Sequence, residues 1–180
     1  MSLSDATVPL ALPLAGGCQC GQLRYRIHEM PLTLYCCHCT ECQKQAASAF
    51  GMSLRVATAA VEWSGEAASF TRDAGKPTSA EGLFCPHCGT RILHRRSTVV
   101  SELGGEPGGE AEPDEHESAA GDVSIKAGSL DDTSRLRPVG HIWLRSAQEW
   151  FKPDPALVNH RTQPTDWGPM IEAYRRSLAG

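Results

Sequence analysis

Short segments in which hydrophobic and polar residues alternate run through most of the chain. In the clearest of them, Leu23, Tyr25 and Ile27 are separated by arginines, which is typical of a strand with one buried face. This segment follows Gly16 and Gly17 and predicts the edge of a hairpin. Further strands are predicted at Leu32–Cys37, Phe50–Val56, Val61–Ser64, Ala68–Thr71, Ile92–Arg96, Val123–Ala127 and His141–Leu144. Their spacing favours an all-β sandwich, barrel or paired-sheet fold.

Helical spacing is found at two places. Thr40–Gln45 predicts a single helical turn. Near the C-terminus, Met170, Ile171 and Tyr174 recur at the spacing of one helical face, and Leu178 continues it. We therefore expect a mainly β protein with one short amphipathic helix packed on its outside.

Changes in composition divide the chain into regions. Residues 1–14 have no clear periodicity and are predicted to be a loose N-terminal tail, residues 15–152 a central domain, and residues 153–180 a C-terminal extension that contains the helix. Residues 101–121 hold seven acidic residues, five glycines and no Lys or Arg, which is the composition of a flexible, solvated segment. We interpret this segment as a tolerated surface insertion; a loop that shields a site is the alternative.

Length and charge exclude several classes of protein. A chain of 180 residues is enough for one domain of ordinary size, and its net charge of −4 gives no basic excess that would indicate nucleic-acid binding. The first residues lack the positive start of a secretory signal, and no apolar run approaches the roughly 18 residues of a membrane span. We therefore expect a cytoplasmic protein without a membrane partner. In the cytoplasm, eight cysteines indicate metal ligands rather than disulfides.

Two cysteine pairs lie far apart in the sequence. Cys18 and Cys20 are separated by one residue, and Cys85 and Cys88 by two. Joined around one ion, they would form a closed four-thiolate site, and Gly89 would allow the tight turn that such a site needs. Zinc is the ion that thiolate-rich tetrahedral sites suit best, although iron shares the ligand set. This pattern predicts a structural zinc that clips the first strand to a late hairpin.

A third group of cysteines has a different character. If the chain is extended here, Cys37 and Cys39 share one face, while Cys36 and His38 point to the other. Cys42 then returns from the following turn. Three thiolates with an open fourth position describe a catalytic type of zinc site. The alternative is a closed site in which His38 or Cys36 supplies the fourth ligand, although Cys36 fits a small buried apolar residue better.

The cysteine motifs, in their order and spacing, resemble those of a known family. The similar segments are Gly16–Tyr25 (GGCQCGQLRY), Cys37–Cys42 (CHCTEC), Phe84–Thr90 (FCPHCGT), Lys126–Asp132 and the residues from Pro138 to Trp150. They resemble the glutathione-dependent formaldehyde-activating enzyme family, which includes a centromere-associated vertebrate branch. The resemblance extends from about Gly16 to Phe151, so it covers most of the chain.

The resemblance implies a β-tent, in which small antiparallel sheets lean together around zinc, with residues 15–152 as its zinc-binding domain. It implies a structural zinc held by Cys18, Cys20, Cys85 and Cys88. It implies a catalytic zinc with an open position, held by Cys37, Cys39 and Cys42. The implied activity is that of a carbon–sulfur lyase, which joins or separates glutathione, or a similar thiol, and a small aldehyde such as formaldehyde. Residues 45–50 depart from the family pattern, so the pocket wall is expected to differ.

Several residues are candidates for supporting roles. A developing alkoxide would need a proton donor, and His38 and Ser48 lie close to the three cysteines in sequence. Arginine side chains suit the two carboxylates of glutathione, and the candidates are Arg55, Arg72, Arg91 and Arg95. An interior strand and its cover are expected to include His141, Trp143 and Trp150.

Two other classes of function remain open at this stage. One is a non-catalytic, zinc-stapled module that binds protein or nucleic acid, although no Lys/Arg run with interleaved aromatic residues supports a nucleic-acid partner. The other is a redox protein that uses Cys39 and Cys42, which the dense surrounding cluster disfavours. The expected partners are a small thiol and an aldehyde. The sequence does not indicate the true substrate or the oligomeric state.

Overall fold

The computed structural model describes residues 11–73, 78–98 and 121–179. Within these ranges the strands are β1 (Leu14–Gly17), β2 (Arg24–Ile27), β3 (Thr33–Cys37), β4 (Gly51–Ala57), β5 (Val61–Ser64), β6 (Ala68–Asp73), β7 (Thr78–Phe84), β8 (Arg91–Thr98), β9 (Asp122–Lys126), β10 (Gly140–Ile142) and β11 (Val158–Asn159). The α-helices there are α1 (Thr40–Ala46) and α2 (Gly168–Ala179). Residues 1–10 of the predicted tail and residues 101–120 of the predicted insertion lie outside the described residues.

The smaller sheet is antiparallel and has the strand order β1-β2-β5. In β2, Tyr25 and Ile27 are buried and Arg26 is exposed, as the alternation predicts. Gly16 of β1 has to lack a side chain, because a Cβ atom there would lie 2.3 Å from the Tyr25 hydroxyl. That hydroxyl is hydrogen-bonded to Ser129 Oγ at 2.8 Å. The sheet is thereby tied to the segment that follows β9.

The larger sheet has eight strands in the order β11-β10-β3-β4-β9-β8-β7-β6. Strand β10 runs parallel to both of its neighbours, β3 and β11, and the other described pairings are antiparallel. A late segment of the chain therefore lies directly beside β3, which carries the central cysteines.

The two faces of the larger sheet differ in chemistry. Leu34, Leu54 and Ile125 lie in register on β3, β4 and β9, and each is at most 1% exposed. They belong to one core cluster with Tyr25 and Ile27 of the smaller sheet. Because side chains alternate along a strand, the intervening residues face away from this core. These alternate positions are rich in polar residues, so the second face is free to form a site.

Helix α2 covers one end of this second face. Met170 and Ile171 are buried and pack in a cluster with Ile142 of β10 and residues of β3. The Thr33 hydroxyl donates a hydrogen bond to the Met170 carbonyl oxygen at 3.2 Å. The amphipathic helix predicted from the sequence is therefore present and packs as expected.

The mainly β fold and the short C-terminal helix are confirmed. The predicted strands are present within a few residues of their bounds. The sequence does not predict β1, which begins at Leu14 of the expected tail, nor β7 and β11. The eight-strand size of the second sheet and its parallel pairings are also not predicted by local alternation. Among the described residues, the helices are all too short or too polar to cross a membrane.

Candidate active site

Two tight turns bring four cysteines together. One turn follows β1 and the other follows β7. The Sγ atoms that lie within 4.8 Å of one another belong to Cys18, Cys20, Cys85 and Cys88. Directly after each pair, Gly21 and Gly89 have φ angles of +79° and +74°, which glycine adopts without a Cβ penalty. The sequence therefore places glycine where each turn must reverse.

The spacing of these sulfurs fits a metal and excludes a disulfide. Cys18 Sγ lies 3.5 Å from Cys20 Sγ, and Cys20 Sγ lies 3.7 Å from Cys85 Sγ. A tetrahedron with metal–sulfur bonds of about 2.3 Å has edges of about 3.8 Å, whereas a disulfide bond is about 2.05 Å long. All eight cysteines are free thiols. The four-Cys cluster can therefore hold one tetrahedral ion.

Neighbouring donors favour the anionic form of this cluster. The backbone N–H of Leu23 donates to Cys18 Sγ at 3.2 Å. Thr90 Oγ1 lies 3.2 Å from Cys88 Sγ, and the side chain and backbone of Thr90 lower the pKa of Cys88 to about 5. Such donors stabilise thiolates, which are the metal-binding form of cysteine.

A second cluster is built by the end of β3 and the start of α1. Cys37 is the last residue of β3, Cys39 is the N-cap of α1, and Cys42 lies within its first turn. Their Sγ atoms all lie within 4.8 Å of one another. The N-cap geometry aims Cys39 Sγ at the helix, where it accepts a hydrogen bond from the backbone N–H of Cys42 at 3.3 Å. Gly51 of β4 leaves room for the helix, because a Cβ atom there would lie 3.3 Å from Cys42 Cβ.

The thiols of this three-Cys cluster titrate unequally. Hydrogen bonds from Cys37 and Cys42 lower the pKa of Cys39 to about 2. The contacts of Cys37 with Cys39 and Cys42 raise the pKa of Cys37, and burial adds to this effect. One thiolate is therefore stabilised, and its presence opposes the ionisation of its neighbours. Three thiolates at this spacing need a cation among them, so the donor set fits a thiophilic metal ion.

The residues considered as a fourth ligand point away from this cluster. His38 is completely buried, and its Nε2 lies 3.0 Å from His141 Nδ1. Its ring packs 4.4 Å from the ring of Phe151. Cys36 is 2% exposed, and burial raises its pKa to about 12. Among the described Cys, His, Asp and Glu residues, none joins the three cysteines as a fourth member.

The three-Cys cluster opens into a cleft of about 500 Å³. This volume lies within the range of small-molecule sites. The cleft is bounded by the polar face of the larger sheet, by α1 and by the segment after β10. The chain can therefore bring a small molecule to the sulfurs of Cys37, Cys39 and Cys42, which all line it.

Arginine side chains give the cleft a basic lining. Of the four candidates, Arg55, Arg72 and Arg95 line it, whereas Arg91 lies outside it, beneath Gly82. Each of the three has a carboxylate partner: Arg55 pairs with Asp122, Arg72 with Glu41 and Arg95 with Glu81.

Two further arginines of the cleft were not singled out from the sequence. Arg96 and Arg145 line it, and among the described residues neither has an acidic partner at ion-pair distance. The Arg145 guanidinium lies 4.7 Å from the centre of the Trp143 ring. Within the described part of the chain, no carboxylate competes for either guanidinium group, so an anion could bind there.

The proton donors suggested by sequence proximity are not in the cleft. Neither the buried His38 nor the exposed Ser48 lines it. Tyr35 and Ser124 do line it, and their hydroxyl oxygens lie 3.1 Å apart. Burial raises the pKa of Tyr35 well above its usual value, and the nearby Cys37 and Cys42 add to the shift. Tyr35 therefore stays protonated at neutral pH and can donate a hydrogen bond.

The aromatic residues near the C-terminus have different positions. His141 is buried, in agreement with an interior strand. Trp143 lines the cleft and donates a hydrogen bond from Nε1 to Gln163 Oε1 at 3.0 Å. Trp150 is 67% exposed. The prediction that Trp150 covers the interior strand is therefore wrong, and Phe151 packs against His38 instead.

Comparisons with known proteins identify the family. The family model described as glutathione-dependent formaldehyde-activating enzyme matches residues 13–105, and curated proteins give no match. Among solved structures, a similar chain is that of a Rhodobacter sphaeroides protein from structural genomics. It has 13% sequence identity, covering 69% of this chain and 92% of that chain, with a TM-score of 0.44. Because the family match spans just over half of the chain and includes all eight cysteines, the protein belongs to the glutathione-dependent formaldehyde-activating enzyme family.

Proposed function

We propose that the protein is a zinc-dependent carbon–sulfur lyase. It forms or cleaves the bond between glutathione, or a similar thiol, and a small aldehyde such as formaldehyde. The observation that carries this proposal is the position of the three-Cys cluster in the wall of a basic cleft of about 500 Å³. Family membership associates the chain with glutathione and formaldehyde in general.

The two cysteine clusters have separate roles in this proposal. Four sulfurs complete a tetrahedral site, so the four-Cys cluster would hold a structural zinc with no free position. The three-Cys cluster has only three ligands among the described residues. A zinc ion held there would supply a Lewis acid with one free coordination position, which lowers the pKa of a thiol that reaches it. Cys37, Cys39 and Cys42 are its ligands in this proposal.

The cleft also suits the rest of the thiol substrate. Glutathione carries two carboxylates, and planar guanidinium groups bind carboxylates in a bidentate manner. Arg96 and Arg145 have no acidic partner among the described residues, so they are the first candidates for these contacts. Trp143 holds Arg145 over its ring and adds an apolar wall beside it.

The reaction requires one new bond and one proton transfer. The sulfur of the thiol forms a bond to the aldehyde carbon, and the carbonyl π electrons move to oxygen. That oxygen gains a proton, while the thiol loses its own to solvent. Tyr35 is protonated and faces the cleft, so its hydroxyl would donate to the developing alkoxide. Ser124, at 3.1 Å, would relay a proton from solvent to Tyr35, which balances the proton that the thiol released. Cleavage follows the same steps in reverse.

The test compares adduct formation in matched variants. Glutathione adducts are measured across a panel of small aldehydes for the wild type, Cys42→Ser and Cys36→Ala. Cys42→Ser removes one ligand of the three-Cys cluster, whereas Cys36→Ala removes a neighbouring thiol that points away from it. We expect Cys42→Ser to lose at least about 100-fold in rate and Cys36→Ala to keep most of it. Equal rates for Cys42→Ser and the wild type would overturn the proposal and favour a non-catalytic zinc-stapled module.

A further inference from the structure

A half-buried lysine, whose Nζ atom is fully buried, lies on the same sheet face as the three-Cys cluster. On β3, β4 and β9, the residues Tyr35, Ser53 and Lys126 stand directly opposite one another. The adjacent row on this face pairs Cys37 with Gly51. Lys126 therefore lies two strands and one row away from Cys37 on this face, although about 90 residues separate the two in sequence.

Among the residues that the structure describes, the charge of Lys126 has no conventional partner. Its Nζ atom is buried and makes no hydrogen bond with any described residue. No carboxylate of the described residues forms an ion pair with it. Burial lowers the pKa of the Lys126 ammonium group, and Arg91 adds to this shift; the sulfurs of the three-Cys cluster oppose it, with Cys42 the strongest. The three-Cys cluster is thus the local source of negative charge.

A second polar atom at this position is also without a partner. Ser53, opposite Lys126, is fully buried, and its Oγ atom makes no hydrogen bond with any described residue. Burying an ammonium group without a counter-charge destabilises the folded protein, and an apolar residue of similar shape would avoid this desolvation penalty. A lysine at this site is therefore explained best by a partner that carries negative charge.

With a metal ion bound, the three-Cys cluster would carry a net negative charge and would be that partner. A dication with three thiolates has a net charge of −1, and binding a fourth thiolate makes the net charge −2. Repulsion of this kind weakens both the Lewis acidity of the ion and its affinity for a further thiolate. One ammonium group beside the cluster offsets one of these charges.

We propose that Lys126 is the counter-charge of the three-Cys metal centre, a positioning residue that strengthens metal binding and favours a fourth, anionic sulfur ligand. This inference rests on the proposed function for the identity of that ligand. Lys126 acts through the cysteines and from behind the cleft, since it does not line the cleft itself.

The test uses three variants and two measurements. Lys126→Met removes the charge and keeps an unbranched side chain, and Lys126→Arg keeps the charge. Lys44→Met is the control, because it removes a largely exposed lysine from α1 beside the same cluster. Zinc affinity is measured by competition with a chromophoric chelator. Glutathione affinity is measured from the thiolate-to-metal absorption of the cobalt-substituted protein.

We expect Lys126→Met to bind one of two zinc ions about 10- to 100-fold more weakly than the wild type, which is the usual effect of removing an outer-sphere partner. Its glutathione affinity should fall at least about tenfold. The other zinc should bind unchanged, which shows that the variant is folded. Lys44→Met should match the wild type, and Lys126→Arg should recover most of the loss.

Two results would overturn the inference. One is a Lys126→Met protein that binds both zinc ions and glutathione as the wild type does. The other is a Lys126→Arg protein that binds zinc and glutathione as weakly as Lys126→Met does, because the loss of affinity would then not depend on the positive charge. A wild type that makes no glutathione adduct, with zinc binding still weakened in Lys126→Met, would contradict the proposed reaction and support the role of Lys126. A wild type that makes the glutathione adduct, with zinc and glutathione binding unchanged in Lys126→Met, would support the proposed reaction and contradict the role of Lys126.

Discussion

Tyr35 combines two properties that a proton donor needs. It faces the cleft on the same side of β3 as Cys37, and burial keeps its hydroxyl protonated. Its contact with Ser124 at 3.1 Å gives it a route for reprotonation. A histidine would titrate near neutral pH, whereas this phenol donates over the whole physiological range.

Tyr35→Phe should therefore slow adduct formation with little effect on thiol binding. We expect kcat to fall about 100-fold, the lower end of the range for general acid catalysis, while KM for glutathione changes little. Tyr174→Phe is the matched control, because Tyr174 is also a buried tyrosine but does not line the cleft. Steady-state kinetics of the purified variants decide the matter; an unchanged kcat in Tyr35→Phe would remove this residue from the mechanism.

Local spacing made some residues of the site predictable and left others hidden. Cys37, Cys39 and Cys42 lie within six positions, so their convergence follows from the strand and turn that hold them. Ser124 and Arg145 reach the cleft from segments more than 80 residues beyond these cysteines. Their place depends on strand pairing, which no local pattern contains. Proximity in sequence was misleading for His38, because its buried ring packs against His141 and Phe151 and does not reach the cleft.

At the scale of elements, the parallel pairing of β10 with β11 leaves no space for a side chain at Gly140. A Cβ atom there would lie 2.3 Å from the Val158 carbonyl oxygen and 2.8 Å from Met170 Cε. The carbonyl belongs to the backbone of β11, so it cannot move without disturbing the strand. This close approach joins β10, β11 and α2 beside the cleft.

Gly140→Ala should accordingly destabilise the protein, by about 1–3 kcal/mol as overpacking usually does. Gly128→Ala is the control, because no heavy atom lies within 4 Å of a Cβ atom built there. Chemical denaturation of both variants, followed by circular dichroism, measures the free energy of unfolding. Equal stability of the two variants would mean that β11 shifts readily and does not fix the cleft wall.

The elements themselves were predictable where hydrophobic and polar residues alternate. Strand β2 alternates buried and exposed residues, and its position follows from the sequence. Strands β4 and β5 also begin and end within one residue of the predicted bounds, although β4 is buried on both faces and β5 has no fully buried residue. Strand β7 has the sequence TSAEGLF, which contains a glycine and no regular alternation. Gly82 is required there because a Cβ atom would lie 1.7 Å from Arg91 Nη2. Tertiary packing thus overrides the local pattern in β7.

At the scale of the molecule, the four-Cys cluster joins segments that lie 65 residues apart, from Cys20 to Cys85. If a structural zinc closes this link, removing one ligand should affect the whole fold. Removing a ligand of the three-Cys cluster should affect the cleft alone. The two clusters therefore predict different responses to metal removal.

Cys88→Ser should lower the melting temperature in zinc by more than about 10 °C, which corresponds to at least about 3 kcal/mol for a protein of this size. Cys42→Ser should lower it by no more than about 3 °C. A strong chelator should lower the melting temperature of the wild type to a value close to that of Cys88→Ser. Thermal unfolding with and without chelator measures these shifts, and a larger loss in Cys42→Ser would reverse the assignment of the two centres.

The paired segments lie far apart in the sequence, so the ribosome synthesises one partner long before the other. Cys18 and Cys20 emerge early in translation and cannot complete their tetrad until Cys88 has left the exit tunnel. Strand β3 then waits for β10, which is made near the end of the chain. A chain that ends before Cys88 leaves Cys18 and Cys20 without their partners, and a chain that ends before β10 leaves one edge of β3 unpaired. Open thiols and unpaired strand edges both invite association with other chains. Native protein is obtained only from chains that have been made through to β10.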